Sequence, residues 1–177
     1  MKYFKHGQKG FTLIELLVAI PIAALVMLAT GGVIVQVIRS GNATSQMTAV
    51  RQVQNAGRWI SQDGLQAENV SIESGPDFCT FVRTDPDTGF VHRVVYSLID
   101  MESGSLKRQQ RVETVFSGGT PMTTTRIVAY GLDASGCSIS WEPGSDDSVF
   151  IFQVRATIGQ RTENRTYEVM PRPGQRS

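Results

Sequence analysis

The chain has little of the residues that build metal centres and disulfide frameworks. Only two cysteines and two histidines, His6 and His92, occur among its 177 residues. Two cysteines exclude a disulfide-rich scaffold and a zinc site made of four thiolates, although they leave room for one bridge. No segment has the spacing of a nucleophile elbow, a zinc-protease helix or a glycine-rich phosphate loop. These absences argue against an enzyme and indicate no cofactor and no metal.

An excess of charge of one sign is also lacking. Lys and Arg together number 17, Asp and Glu together number 16, and the formal net charge is +1. That balance excludes a partner chosen by bulk charge, as a histone-like DNA binder would choose it. Because 41% of the residues are hydrophobic and 19% are charged, the chain can bury a core and is not disordered.

One long uncharged apolar run is present, Leu16–Val35, with the sequence LLVAIPIAALVMLATGGVIV. About 20 apolar residues suffice for a helix to cross a hydrocarbon core of ~30 Å. Lys2, Lys5 and Lys9 lie among the first ten residues, which contain no acid, so a cytoplasmic N-terminus and an external C-terminal part are predicted. The run exceeds the apolar region of an ordinary signal peptide and no small-residue cleavage site follows it, which favours a retained anchor.

Downstream, the hydrophobic period divides the chain. From Asn42 to Val70 a period near 3.6 predicts an amphipathic helix that continues from the membrane segment. Its apolar stripe is Met47, Val50, Val53 or Gln54, Gly57, Ile60, and Gly64 or Leu65. Beyond Pro76 the period becomes two, and the predicted strands are Phe78–Val82, Phe90–Leu98, Leu106–Phe116, Cys137–Trp141, Ser148–Thr157 and Arg161–Met170. The short piece Arg126–Tyr130 is left unassigned.

These patterns predict an α+β fold in which a long N-terminal helix packs on a C-terminal antiparallel β-sheet. The predicted divisions are a cytoplasmic leader at 1–10, a transmembrane helix at 11–38, an amphipathic helix at 39–73 and a β-rich domain at 74–177.

One acid, Glu15, stands at the start of the apolar run. A carboxylate deep in a membrane helix costs ~2.5 to 3.5 kcal/mol and is rare without a partner. On its own, Glu15 could equally lie solvated at the headgroup level. Its surroundings decide the interpretation, since Lys9–Ile20 reads KGFTLIELLVAI. This string resembles the type III signal of type IV pilins, pseudopilins and related prepilin-like proteins.

The resemblance implies that a prepilin peptidase cuts between Gly10 and Phe11 and N-methylates Phe11. It further implies that Glu15 meets the terminal amine of a neighbouring subunit during filament assembly. Loss of the leader would change the formal side-chain charge from +1 to −2, since three lysines leave with it. The implied partners are the prepilin peptidase, other pilin or pseudopilin subunits, the inner-membrane assembly platform, and the lipid bilayer before assembly.

Two features indicate a minor subunit. Major pilins of this family carry a helix-bending proline about ten residues further on than Pro21. In addition, Val94–Leu98 and Gly104–Arg108 resemble a hairpin of J-type minor pseudopilins and PilW-like minor pilins. The resemblance therefore implies a minor subunit of a type IV pilus or a type II secretion pseudopilus. It would reside in the cytoplasmic membrane and then in an extracytoplasmic filament.

Several sites remain open on the sequence. Cys79 and Cys137 are either a candidate disulfide or two buried thiols. Asp85–Gly89 and Asp146–Asp147 read better as turns than as calcium loops, because the first lacks the distal glutamate of an EF-hand. An alternative function, a ligand- or DNA-binding minor pilin or adhesin at the filament tip, depends on five basic residues that could face phosphates. Nearby acids favour a solvated sheet face for that set, which is Arg83, Arg93, Lys107, Arg108 and Arg111.

Overall fold

The computed structural model describes residues 12–73, 75, 77–101, 105–144 and 149–172. The first element is a single helix, α1, which spans Leu13–Gln66 and includes Pro21. The chain divides into two compact units between Gly41 and Asn42.

In the first unit, α1 presents apolar side chains that nothing in the unit covers. Every residue from Leu13 to Ile38 is exposed, and Glu15 is the only charged residue in that range. Within the described part of the chain, α1 is the one helix long and apolar enough to cross a membrane. A helix that is apolar all round fits a lipid or a helix-packed environment and not water.

In the second unit, α1 ends at Gln66, four residues before the predicted end at Val70. The Glu68 amide donates instead to the Val82 carbonyl at 2.8 Å, and Asn69–Ile72 forms strand β1. The helix prediction was wrong over these last residues because their alternate half-buried side chains suit a strand that pairs with its neighbour.

In the described part of the chain, seven more strands follow β1. They are β2 (Asp77–Thr84), β3 (Val91–Asp100), β4 (Leu106–Phe116), β5 (Met122–Asp133), β6 (Ser138–Trp141), β7 (Phe150–Ile158) and β8 (Arg161–Val169). The unassigned piece Arg126–Tyr130 lies within β5, and a short 3-10 turn at Ala134–Gly136 separates β5 from β6.

All strand pairs are antiparallel, in the order β1-β2-β3-β4-β5-β7-β6, and β8 pairs with β7. The sheet curls, because β2 and β7 touch although three strands separate them in that order. Phe78 stacks on Phe152 with ring centroids 6.1 Å apart, and Phe81 lies 5.7 Å from Phe150.

The second half of α1 packs on this curled sheet. Its buried residues are Ala49, Gln52, Val53, Ala56, Gly57, Ile60, Asp63 and Gly64. Val53, Ala56 and Ile60 join the core that Phe81, Tyr96, Phe150 and Phe152 build from the strands. The predicted α+β class, a long helix packed on an antiparallel sheet, is therefore confirmed.

Candidate functional site

The N-terminus of α1 is capped by reciprocal hydrogen bonds between Thr12 and Glu15. Thr12 precedes the first helical residue, and the Glu15 amide donates to its hydroxyl oxygen at 3.3 Å. In return, the Thr12 amide and hydroxyl both donate to Glu15 Oε2 at 2.8 Å. This is a capping box, which satisfies donors that a helix N-terminus otherwise leaves unpaired. The predicted cleavage positions Gly10 and Phe11 lie outside the described residues.

Glu15 also borders a shallow apolar groove along α1. Ile14, Val18, Ala19 and Ile22 line this groove with it. Since the carboxylate is the only charge from Thr12 to Ile38, no cation in that stretch of α1 can neutralise it. Chemically, the arrangement offers one anion beside an apolar surface, which suits a cation brought by another chain.

A second polar site lies in the domain, where α1 meets the sheet. Asp63 of α1 is buried and holds the Arg111 guanidinium of β4 with both oxygens. Arg111 Nε donates to Oδ2 at 2.7 Å and Nη2 donates to Oδ1 at 3.1 Å. The Tyr96 hydroxyl donates to the same Oδ2 at 2.5 Å. The carboxylate thus ties α1 to β3 and β4 with three hydrogen bonds, two of them a bidentate pair.

The electrostatics of this contact follow from burial and pairing. Burial alone would lower the pKa of Arg111, but its hydrogen bonds with Asp63 and Glu113 outweigh that effect and hold the pKa above its usual range. Burial raises the pKa of the Tyr96 phenol, and the neighbouring Asp63 charge raises it further. Arg111 therefore stays charged and Tyr96 stays a hydrogen-bond donor.

Glu113 extends the cluster across the sheet. Its carboxylate accepts from Arg111 Nη1 at 2.8 Å and contacts His92 Nδ1 at 2.9 Å. Arg83 reaches it at 3.5 Å and also donates to Gln66 at 2.7 Å. Burial raises the pKa of Glu113, but hydrogen bonds from His92 and Arg111 and the two guanidinium charges lower it more, to about 2.

The shifted pKa of Glu113 makes stability depend on acid pH. Its pKa is about 2 in the folded chain against an ordinary 4.5. The stabilisation is therefore complete above about pH 4.5 and is lost as the pH falls towards 2. We expect Glu113→Gln to be less stable than the wild type near neutral pH. As the pH falls through this window, the free energy of unfolding should decrease less in the variant than in the wild type. Unfolding curves at several pH values test this, with exposed Glu68→Gln as the control. The prediction is contradicted if the free energy of unfolding changes equally with pH in the two variants.

The sequence prediction of a solvated basic face was wrong for part of the set. Arg111 is only 8% exposed, and Arg83 is paired as described. Lys107 is bound to Asp100, whereas Arg93 and Arg108 are exposed. Since three of the five cations already have carboxylate partners, the set does not form a continuous phosphate-binding surface.

The two cysteines of the candidate disulfide, Cys79 and Cys137, are free thiols in the structure. Cys79 is fully buried in the core on β2, in register with Tyr96 of β3. Cys137 follows the 3-10 turn and its thiol donates to the Arg155 carbonyl at 3.8 Å. Burial raises the pKa of both thiols, which disfavours the reactive thiolate form.

Of the two candidate calcium loops, the structure describes Asp85–Gly89, in which the Asp85 carboxylate accepts hydrogen bonds from the backbone. Asp85 Oδ1 accepts from the Asp87 amide at 2.9 Å and from the Thr88 amide at 3.2 Å, which makes a hairpin turn. Asp146–Asp147 lies outside the described residues. In the described part of the chain, no three His, Cys, Asp or Glu side chains are placed to hold a metal ion.

Comparison with known proteins gives one match. Residues 5–31 match the prokaryotic N-terminal methylation motif, a range that includes the second half of the predicted leader, the predicted cleavage positions and α1 as far as Gly31. No curated protein and no solved structure matches the chain. The matched motif is typical of the prepilin signal of type IV pilin-like proteins, and a long N-terminal helix followed by an antiparallel sheet is a pilin-like architecture.

Proposed function

We propose that this chain is a minor pilin-like subunit that a prepilin peptidase cuts between Gly10 and Phe11. Hydrolysis of that peptide bond would release the leader and leave a free amine on Phe11, which is then N-methylated. The match of residues 5–31 to the N-terminal methylation motif carries this proposal.

The geometry at the start of α1 supports an assembly role for Glu15. Before assembly, the capping box with Thr12 gives its carboxylate hydrogen bonds within the chain. In a filament, the cationic amine on Phe11 of a neighbouring subunit would supply the counter-charge that the stretch from Thr12 to Ile38 lacks. Pairing the two charges offsets the cost of placing each in apolar surroundings, which sets the register of neighbouring helices.

The same proposal assigns the chain its place in the cell. The subunit would wait in the cytoplasmic membrane with its N-terminus inside and its β-rich domain outside. An assembly platform would then extract it into a type IV pilus or a type II secretion pseudopilus. The minor role rests on the early position of Pro21. It also rests on the resemblance of Val94–Leu98 and Gly104–Arg108 to a hairpin of J-type minor pseudopilins and PilW-like minor pilins.

The test is the mass of the chain after co-expression with a prepilin peptidase. We expect the wild type to begin at N-methyl-Phe11 and Gly10→Ala to keep its leader. Glu15→Gln retains the size of the side chain but removes its charge, so we expect it to be cleaved and to be lost from sheared filaments. A wild-type chain that still begins at Met1 would contradict the processing and, with it, the assembly mechanism.

A further inference from the structure

The outer edge of β5 is an open strand edge. On one side β5 pairs with β4 from Met122 onwards, whereas on the other side it joins β7 only through Leu132 and Ala156. The Tyr130 amide donates a hydrogen bond to Gln52 Oε1 of α1 at 3.0 Å. Among the described residues, no backbone group pairs with the outer edge of Met122–Ile127.

This segment is exposed on both faces as well as along its edge. All six residues from Met122 to Ile127 are exposed, and Met122 and Ile127 are 74% and 44% accessible. At about 3.4 Å per residue the segment is ~20 Å long, enough for several ladder hydrogen bonds. Its sequence, MTTTRI, is rich in β-branched residues that suit a paired strand.

The other edges of the sheet are protected in ways that β5 is not. The outer strands β1 and β6 have four residues each. The outer strand β8 carries charges along its length, at Arg161, Glu163, Arg165 and Glu168. Short edges and charged edges both discourage pairing with another chain, whereas the longer edge of Met122–Ile127 carries a single charge and is less protected.

We propose that the outer edge of Met122–Ile127 receives an extended strand from a neighbouring filament subunit of different sequence. Backbone hydrogen bonds along the edge would supply affinity, and the alternating side chains would supply specificity, as in other strand-addition complexes. This inference rests on the proposed role as a filament subunit.

Charge indicates what the incoming strand carries. Arg126 is exposed and is the only charged residue from Met122 to Tyr130. Its guanidinium lies 5.3 Å from the Trp59 ring centroid, and no described ion pair includes it. A second copy of this chain would bring another Arg126 and no acid along the same segment. Charge therefore favours a different chain that places a carboxylate opposite Arg126 over pairing of this segment with the same segment of a second copy.

The experiment places the photo-crosslinker p-benzoyl-phenylalanine at Thr124 of the full chain in its native host. Position Thr162 on the charged edge of β8 is the matched control, and position Val26 of α1 reports helix packing. We expect Thr124 to give an adduct with a different chain that has its own prepilin signal, in several-fold higher yield than Thr162. Arg126→Glu should lower that yield about tenfold, whereas Arg126→Lys should retain most of it.

The result at Val26 separates the two proposals. If Val26 crosslinks to a pilin-like subunit but Thr124 gives no adduct, or no more than Thr162, the strand-addition inference is overturned and the filament role stands. An adduct of Thr124 with a second copy, or with a protein without a prepilin signal, also overturns it. If neither Val26 nor Thr124 reaches a pilin-like subunit, the filament role fails and the inference fails with it.

Discussion

Replacing Asp63 by alanine is expected to lower the free energy of unfolding by roughly 3 to 5 kcal/mol, the usual cost of breaking a buried ion pair. The substitution would leave Nε and Nη2 of Arg111 and the hydroxyl of Tyr96 without their acceptor. Arg111 is 8% exposed and Tyr96 is fully buried, so water cannot replace the lost hydrogen bonds without opening the contact between α1 and the sheet.

Denaturant unfolding of the full chain in detergent micelles, followed by the β-sheet circular dichroism signal, measures this loss. Asp100→Ala is the matched control, because it also removes an ion pair, that with Lys107, but at a carboxyl side chain that is 79% exposed. Surface pairs contribute about 0 to 1 kcal/mol. Asp63→Asn keeps the size of the side chain and should be nearly as damaging. Similar losses for Asp63→Ala and Asp100→Ala would show that the buried cluster does not hold α1 on the sheet.

The order of one long helix followed by strands was predictable because the hydrophobic period changes once along the chain, although β1 and β5 were not predicted as strands. Which residues of α1 are buried against the sheet was not predictable in the same way. Met47 was predicted to lie on the apolar stripe but is 66% exposed, whereas Ala49 and Ala56 are fully buried. Of the alternatives Gly64 and Leu65, Gly64 is buried and Leu65 is 54% exposed. Small residues add little to a hydrophobic pattern, yet they are what allow a helix to approach a sheet closely. Long-range packing, not local periodicity, selects them.

The two polar sites differ in how far the sequence alone could predict them. The signal around Glu15 is contiguous, so a dozen residues carry it without any fold. The cluster joins Asp63 to Arg111 across 48 positions, and in a strand with alternating polarity Arg111 looks like a solvated side chain. One local signal existed, because Asp63 follows Ile60 by three residues and so shares its buried stripe. Which cation it would meet depended on strand register, which the sequence alone did not specify.

Gly57 is expected to be intolerant of alanine, since a Cβ atom there would lie 2.1 Å from the Cε2 and Cζ atoms of Tyr167 on β8. The ring cannot move away freely. Its hydroxyl donates to the Val53 carbonyl at 3.2 Å, and its face stacks on Phe152 at 6.4 Å. Overpacking of this kind costs about 1 to 3 kcal/mol, which exceeds the ~0.5 to 1 kcal/mol that alanine gains over glycine within a helix.

Gly41→Ala is the matched control, because it also lies within α1 but has nothing within 4 Å of its would-be Cβ. It should be neutral or stabilising by up to about 1 kcal/mol. Thermal unfolding of the two variants in the same detergent compares them. A Gly57→Ala, Tyr167→Leu double variant should lose less stability than the two single changes added together, since the smaller side chain makes room for the methyl group. If Gly57→Ala is as stable as Gly41→Ala, then α1 and β8 do not pack as closely as the contact at Tyr167 requires.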